Sequence, residues 1–273
     1  MIEERAYAKL NLALDVVKKR ADGYHELNMI MIPIDLYDTL YFELSNGIEL
    51  FSDVEIKDNA ILKTAQLLKE TYHVNKGAKI SLKKTIPIGA GLAGGSADIA
   101  ATLRGLNQLW ELELPLSELE SLALRLGSDT LFCLYNKPAY VYGRGEHLLF
   151  IDRFIDVPIY LFFPNVAVST KTIFEHHQIL AQPQKFQRIL SLYINHRYKK
   201  MMHETFNQLL ETTLFCYPEL VPYYKKIRQI SRDVMMSGSG STFFLVSFKE
   251  NQRKLEEKMA KIGLNPVKTR PKT

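Results

Sequence analysis

Pro87-Ile88-Gly89-Ala90-Gly91-Leu92-Ala93-Gly94-Gly95-Ser96-Ala97-Asp98 is the stretch that decides the fold. Four glycines fall within seven residues, after a strand pattern at residues 79–86 and before a helical one with Ile99, Leu103, Leu106 and Trp110 on one side. Where Cβ atoms are missing, backbone N–H groups can approach an anion, and the following helix adds its positive end. One glycine would mark only a turn that needs positive φ. Four at a single helix start favour a phosphate loop. Gly89-x-Gly91-x-x-Gly94 also matches the dinucleotide fingerprint, but that loop follows a continuously apolar parallel strand. Residues 79–86 alternate instead, like a half-exposed antiparallel strand, and Glu111 and Glu113 follow Trp110 at a helix end. No Gly-Lys-Ser/Thr follows, which excludes a Walker A loop.

Working outward, Leu10, Leu12, Leu14 and Val16 alternate with Lys9, Asn11, Ala13 and Asp15, the period of a strand. Lys9 and Asn11 lie on the face opposite the leucines, where a lysine is solvated by default. Asp22-Gly23 signals a hairpin whose second arm runs through His25 to about Ile34. Asn59 can cap a helix with the stripe Ile61, Ala65, Leu68 and Tyr72. Ser117-x-x-Glu120 reads as a capping box for a helix bearing Leu119, Leu122 and Leu126, ended by a left-handed Gly127. Strand patterns at residues 131–135 and 139–142 follow, with a turn at Gly143-Arg144-Gly145.

A second half begins near Asp152. It reads as a strand at residues 157–163, several helices, a strand into Ser237-Gly238-Ser239-Gly240, a strand at 242–248 and a closing helix. There is no internal repeat. Strands and helices mix without strict βαβ alternation, which predicts α+β layers in two domains, residues 1–152 and 153–273.

The 273 residues are 47% hydrophobic and 24% charged, the composition of a globular protein. No apolar run approaches the roughly 20 residues of a membrane helix, and no secretory signal opens the chain. Cys133 and Cys216 are the only cysteines and lack a CxxC partner. These features predict a cytoplasmic protein with no disulfide framework and no membrane association. The net charge of +5 suits anionic ligands but is too small and dispersed for a nucleic-acid footprint.

Gly127-Ser128-Asp129 and Lys9 are each unremarkable alone, since an acid beyond a helix end usually makes a turn. If they meet, the ammonium keeps the carboxylate ionised and in place to accept a hydroxyl proton, and it neutralises charge on a transferred group. Tyr24 and His25, at the base of the hairpin turn, either pack or grip a heteroaromatic base by stacking and edge hydrogen bonds. Ser237-Gly238-Ser239-Gly240 is either a flexible turn or a second wall around phosphates.

In this order, the pieces resemble the GHMP kinase superfamily, which phosphorylates small alcohols. The central loop is similar to its Pro-x-x-x-Gly-Leu-x-Gly-Ser-Ser-type ATP motif, and Met236-Ser237-Gly238-Ser239-Gly240 to its third motif. Four further segments resemble the branch that acts on a cytidine-diphosphate-linked erythritol: Ala8-Lys9-Leu10-Asn11-Leu12, Asp22-Gly23-Tyr24-His25, Gly127-Ser128-Asp129 and Gly143-Arg144-Gly145-Glu146. The resemblance spans residues 6–246.

It implies a two-domain GHMP kinase fold: a ribosomal protein S5 domain 2-like N-terminal domain that binds ATP and a ferredoxin-like α+β C-terminal domain. It also implies ATP and Mg²⁺ as cofactors and a cytidine diphosphate alcohol as substrate. Asp129 takes the place of general base and Lys9 that of its charge-stabilising partner. Pro87, Ile88, Gly89, Ala90, Gly91, Leu92, Ala93, Gly94, Gly95, Ser96 and Ala97 cradle the nucleotide phosphates. Asn11, Thr170, Gly238, Ser239 and Gly240 fall at substrate positions, and His25 reads the cytosine edge between Tyr24 and Phe174. No ligand cluster marks a metal site, and the chain is expected as a monomer or homodimer.

Thr130-Leu131 stand where the family commonly has Val-Pro, Ala97 where many members have a hydroxyl, and Ser241 where a proline is usual. A kinase for another small alcohol and a kinase-derived binding protein therefore stand as alternatives, and a Rossmann oxidoreductase comes last.

Overall fold

β1 (Ile2–Lys19) extends the leucine alternation into a longer strand than the pattern predicts. Leu10 and Leu12 are buried on one face, and Lys9, Asn11 and Asp15 are buried on the other. The expected solvated lysine is therefore a buried one. At the Asp22-Gly23 turn, Gly23 has φ 85° and the Tyr24 amide donates to Asp22 Oδ1 at 3.1 Å. The chain returns as β2 (His25–Ser45), which pairs with β1. The structure is a computed structural model that describes residues 1–56, 58–248 and 252–272. It forms two compact units. The first comprises Met1–Ala8, Leu36–Ile88 and Ala93–Asn136, and the second comprises Lys9–Asp35, Gly89–Leu92 and the chain from Lys137 onward.

In the first unit, β3 (Ile48–Ser52) leads to α1 (Ala60–Thr71), where Asn59 Oδ1 accepts the Ile61 amide at 3.0 Å, the predicted cap. Next comes β4 (Gly77–Lys83), antiparallel to Thr39–Ser45 of β2 but parallel to β3. The alternation therefore reported a half-exposed strand correctly, although one of its two neighbours is parallel. α2 (Gly94–Leu109) follows, and its Gly105 lies so close to the Phe42 ring that a Cβ would collide with it. Trp110 anchors the other end of the helix, with Nε1 donating to the Gly77 carbonyl at 3.2 Å.

α3 (Leu116–Leu126) corrects the predicted capping box. Its N-cap is Pro115 with no side-chain cap, and Glu120 instead accepts a hydrogen bond from the Tyr135 hydroxyl. Gly127 is not left-handed. Its φ of 175° is extended backbone, and it is glycine because a Cβ would stand 2.8 Å from Thr130 Oγ1. The predicted strand at residues 131–135 is the helix α4 (Thr130–Tyr135), stopped by Asn136 at φ 50°. Thr130 through Leu134 are all buried there, and a short run apolar on every side carries no period that separates helix from strand.

In the second unit, β5 (Ala139–Gly143) lies antiparallel to Leu27–Met31 of β2, and β6 (His147–Phe150) pairs with β5. A four-stranded antiparallel sheet is built from β7 (Ile159–Phe162) and, later in the chain, three further strands. Between them run α5 (Thr170–His176), α6 (Pro183–Ile194), α7 (Tyr198–Glu204), α8 (Leu209–Cys216) and α9 (Leu220–Arg228). Then come β8 (Met235–Met236), β9 (Phe243–Val246), α10 (Gln252–Lys261) and β10 (Val267–Thr269). The sheet order is β10-β7-β9-β8, with Phe162, Phe243 and Phe244 fully buried on it. The predicted α+β class holds in both units; β3, β6 and β10 had no expectation. Among the described residues no helix is long and apolar enough to cross a membrane.

Candidate active site

Lys9 owes its place to β1. Its Nζ donates to Asn11 Oδ1 at 2.5 Å, two residues along the same strand face, and to the Gly91 carbonyl at 3.1 Å. Residues 89–92 are tied into the second unit by their main chain. Val168 N donates to Gly89 O at 3.2 Å, Thr242 N to Ala90 O at 3.1 Å and Lys9 N to Leu92 O at 3.1 Å. Gly91, at φ 75°, has no room for a Cβ, which would strike the carbonyl oxygens of Ser237 and Gly240. Ser237 Oγ donates to the Gly91 carbonyl at 2.9 Å, and a Cβ on Gly238 would stand 3.2 Å from Lys9 Nζ. Ser239 Oγ meets Thr170 Oγ1 at 2.9 Å. The structure thus brings Asn11, Gly91 and Gly238 around the buried Lys9 ammonium, and Ser239, next in the chain after Gly238, meets Thr170.

The rest of the loop belongs to the first unit. Ala93 is the N-cap of α2 at φ 57°, with no side-chain cap, and the first helical bond runs from Ala97 N to Ala93 O at 2.9 Å. The amides of Gly94, Gly95 and Ser96 are therefore the helix's unpaired leading donors. A Cβ on Gly95 would meet nothing within 4 Å, so that side is open. Ala97 is buried. Asp129 is the half-buried N-cap residue of α4, with its carbonyl accepting from Cys133 N at 3.1 Å. Asp129 thus lies in one unit and Lys9 in the other.

His25 and Phe174 stack in the second unit, with ring centroids 4.8 Å apart. Burial, then the charges of Lys19 and His177, hold the His25 imidazole below the ordinary histidine range. Tyr24 is half exposed, with the Arg144 guanidinium 5.0 Å from its ring centroid. The second unit also holds polar groups that sequence reasoning did not single out as site residues. Asp15 Oδ1 accepts from Gln208 Nε2 at 2.5 Å and from Gln182 N at 3.0 Å, and burial pushes its carboxyl up. His177 Nδ1 meets Thr212 Oγ1 at 2.9 Å, and burial lowers its pKa. Asp15 shares the strand face of Lys9 and Asn11, which was a usable signal; His177 and Gln208 had none.

A groove of about 600 Å³ opens in the first unit, lined by Leu50, Ser52, Asp53, Val54, Glu55, Ile56, Asp58, Asn59, Leu62 and Lys63. Asp53 Oδ1 accepts the Lys84 amide at 3.0 Å, which places one wall of the groove beside the segment entering the glycine loop. Among the described residues, no three His, Cys, Asp or Glu side chains are grouped to hold a metal.

The GHMP kinases N terminal domain model matches residues 59–137. A 4-diphosphocytidyl-2-C-methyl-D-erythritol kinase of Macrococcus caseolyticus is 38% identical over 268 residues, 93% of each chain. One of Bacillus velezensis is 39% identical over 264 residues, covering 93% of this chain and 91% of its own. A crystal structure of 4-(cytidine 5'-diphospho)-2C-methyl-D-erythritol kinase aligns over 100% of both chains at 31% identity, with a TM-score of 0.78. Lys9 against a glycine loop, an uncapped helix start and a stacked histidine thus occur in a chain that aligns nearly end to end with these enzymes. It belongs to the 4-diphosphocytidyl-2-C-methyl-D-erythritol kinase family of GHMP kinases.

Proposed function

We propose that this kinase transfers the γ-phosphoryl group of ATP to the 2-hydroxyl of 4-diphosphocytidyl-2-C-methyl-D-erythritol, in non-mevalonate isoprenoid precursor synthesis in the cytoplasm. The observation that carries the proposal is the Lys9 ammonium, buried and held on both Asn11 and the Gly91 carbonyl of the glycine loop. A lysine so placed supplies a fixed positive charge where a triphosphate lies along the loop.

In this reading residues 1–152 serve the nucleotide and 153–273 complete the substrate side. The amides of Gly94, Gly95 and Ser96 meet the phosphates, and the groove from Leu50 to Lys63 takes the purine. The substrate hydroxyl oxygen attacks the γ-phosphorus in line as the bond to the bridging oxygen of ADP breaks. The hydroxyl proton passes to the Asp129 carboxylate, while Lys9 offsets charge on the transferring group. Ser96 and Asp129 offer the hard oxygen donors that Mg²⁺ prefers, and Mg²⁺ supplies charge neutralisation on the phosphates. His25, neutral at pH 7, presents ring nitrogens to the cytosine edge with Tyr24 and Phe174 as its aromatic neighbours. Asn11, Thr170, Gly238, Ser239 and Gly240 border the alcohol.

The test is a coupled ADP-release assay with Mg²⁺-ATP and the cytidine alcohol. The wild-type chain turns over, and Asp129→Asn loses at least about 100-fold in kcat while nucleotide binding is kept. Tight binding of the cytidine ligand without turnover by the wild type would overturn the kinase reading in favour of a binding protein.

A further inference from the structure

β4 ends at Lys83, and Lys84, Thr85 and Ile86 lead into the glycine loop. Asp38, buried on β2, grips this segment. Its Oδ1 accepts the amides of Thr85 at 2.6 Å and Ile86 at 2.8 Å, and its Oδ2 accepts from Lys84 Nζ at 2.5 Å. The same ammonium donates to Asp98 Oδ2 at 2.7 Å, in the second turn of α2. It also lies against the start of that helix, since a Cβ on Gly94 would stand 3.2 Å from Lys84 Nζ. One buried ammonium therefore joins both ends of the loop, the strand exit and the helix start.

The three side chains are 6%, 0% and 5% exposed for Lys84, Asp38 and Asp98. Two carboxylates and one ammonium at that depth are costly to desolvate, and apolar packing would stabilise the fold equally well. Asp98 Oδ1 adds to the cost, being buried with no hydrogen-bond partner among the described residues. Burial opposes the charge on Lys84, but Asp98 and Asp38 more than restore it. The Asp98 carboxyl is pushed up to about 7 by burial, assisted by Asp38 and opposed by Lys84.

We infer that Asp38, Lys84 and Asp98 are positioning residues for nucleotide binding. They hold the strand exit and the start of α2 at a fixed separation, so the Gly94, Gly95 and Ser96 amides are aimed before the triphosphate arrives. The inference rests on the kinase reading and deepens it by assigning nucleotide affinity to a buried cluster behind the loop. A loop competent only a tenth of the time binds about tenfold more weakly. Asp98→Ala should cause such a loss, because it leaves the Lys84–Asp38 pair intact and releases only the helix end.

The experiment is calorimetric titration with a non-hydrolysable ATP analogue and Mg²⁺, paired with steady-state kinetics. Asp98→Ala is expected to weaken analogue binding about tenfold and raise KM for ATP by the same factor, with kcat and KM for the cytidine alcohol within about twofold. Asp98→Asn, which keeps an oxygen for Lys84 Nζ but not the negative charge, recovers only part of the affinity. Analogue binding by Asp98→Ala as tight as wild type, with whatever loss of melting temperature, overturns the inference and leaves the kinase reading standing. A wild type that binds no nucleotide overturns both.

Should the alanine variant not fold, Asp98→Asn decides through pH. The charged groups facing Asp98 are Lys84 from the strand exit and Asp38 from β2. Wild-type affinity, corrected for the nucleotide's own proton, should weaken toward that of Asp98→Asn as pH falls from about 8 to about 6, because protonation of Asp98 removes the charge that strengthens its pair with Lys84. That slope should vanish in Asp98→Asn. Equal slopes in the two proteins overturn the inference.

Discussion

His25 shows how burial sets a residue's chemistry. Its imidazole is partly desolvated, feels the charge of Lys19 and lies near His177, so it gives up its proton below the ordinary histidine value of 6.5. At pH 7 it is neutral, with one ring nitrogen a donor and the other an acceptor. KM for the cytidine alcohol should therefore be flat between pH 7 and 8 and rise only in acid, below the ordinary histidine range, where the ring becomes a donor on both sides. His25→Ala should raise that KM about tenfold and spare KM for ATP. Measurement of KM for both substrates across this range separates base recognition from a general loss of fold. Asp98 runs the other way. Its folded pKa of about 7 lies above the ordinary aspartate value of 3.8, so the folded state holds the proton more tightly. Its contribution to stability is present below about pH 4 and lost as pH rises through 7. The melting temperature of Asp98→Asn should lack that fall, and a parallel fall in both proteins would discount the buried carboxyl.

At the scale of elements, α2 carries most of the placement. Its leading amides face the loop, its second turn holds Asp98, its middle packs on Phe42 through Gly105 and its end is pinned by Trp110 on the Gly77 carbonyl. The absence of a Cβ at Gly105 lets the helix approach β2 closely. Gly105→Ala would press a methyl group into the Phe42 ring and should destabilise the protein by about 1–3 kcal/mol, read from denaturant unfolding. A change below about 0.5 kcal/mol would show that Phe42 moves aside at little cost. α4 is short but buried from Thr130 to Leu134, and it carries Asp129 at its cap. The packing of those five residues sets where the acid stands, so Thr130-Leu131 acts through the helix behind Asp129.

Over the whole molecule, the chain passes between its two compact units after Ala8, Asp35, Ile88, Leu92 and Asn136, and both β1 and β2 belong partly to each. Units threaded in this way share strands and should unfold together. Scanning calorimetry is expected to show one cooperative transition, and two resolved transitions would show the units to be independent. Saturating Mg²⁺-ATP at about 100 times its dissociation constant should add about 2.7 kcal/mol to stability, a rise of several degrees in Tm, and Asp129→Asn should keep that rise.

The sequence by itself determined the order of the motifs, the cluster of four glycines at the start of a helix, the Asp22-Gly23 hairpin and the Asn59 cap. Each of these is a local matter of backbone freedom or a side chain bonding two residues away. Only the tertiary structure decided that Lys9, Asn11 and Asp15 are buried, because alternation reports two faces without saying that both are covered. It decided that residues 131–135 form a helix, since a run buried on every side has no readable period. It also decided that Gly127 is glycine for room beside Thr130. Lys84 meets Asp38 and Asp98 across 46 and 14 residues of chain. A contact over that separation depends on how strands and helix stack, and it leaves no trace in the residues on either side.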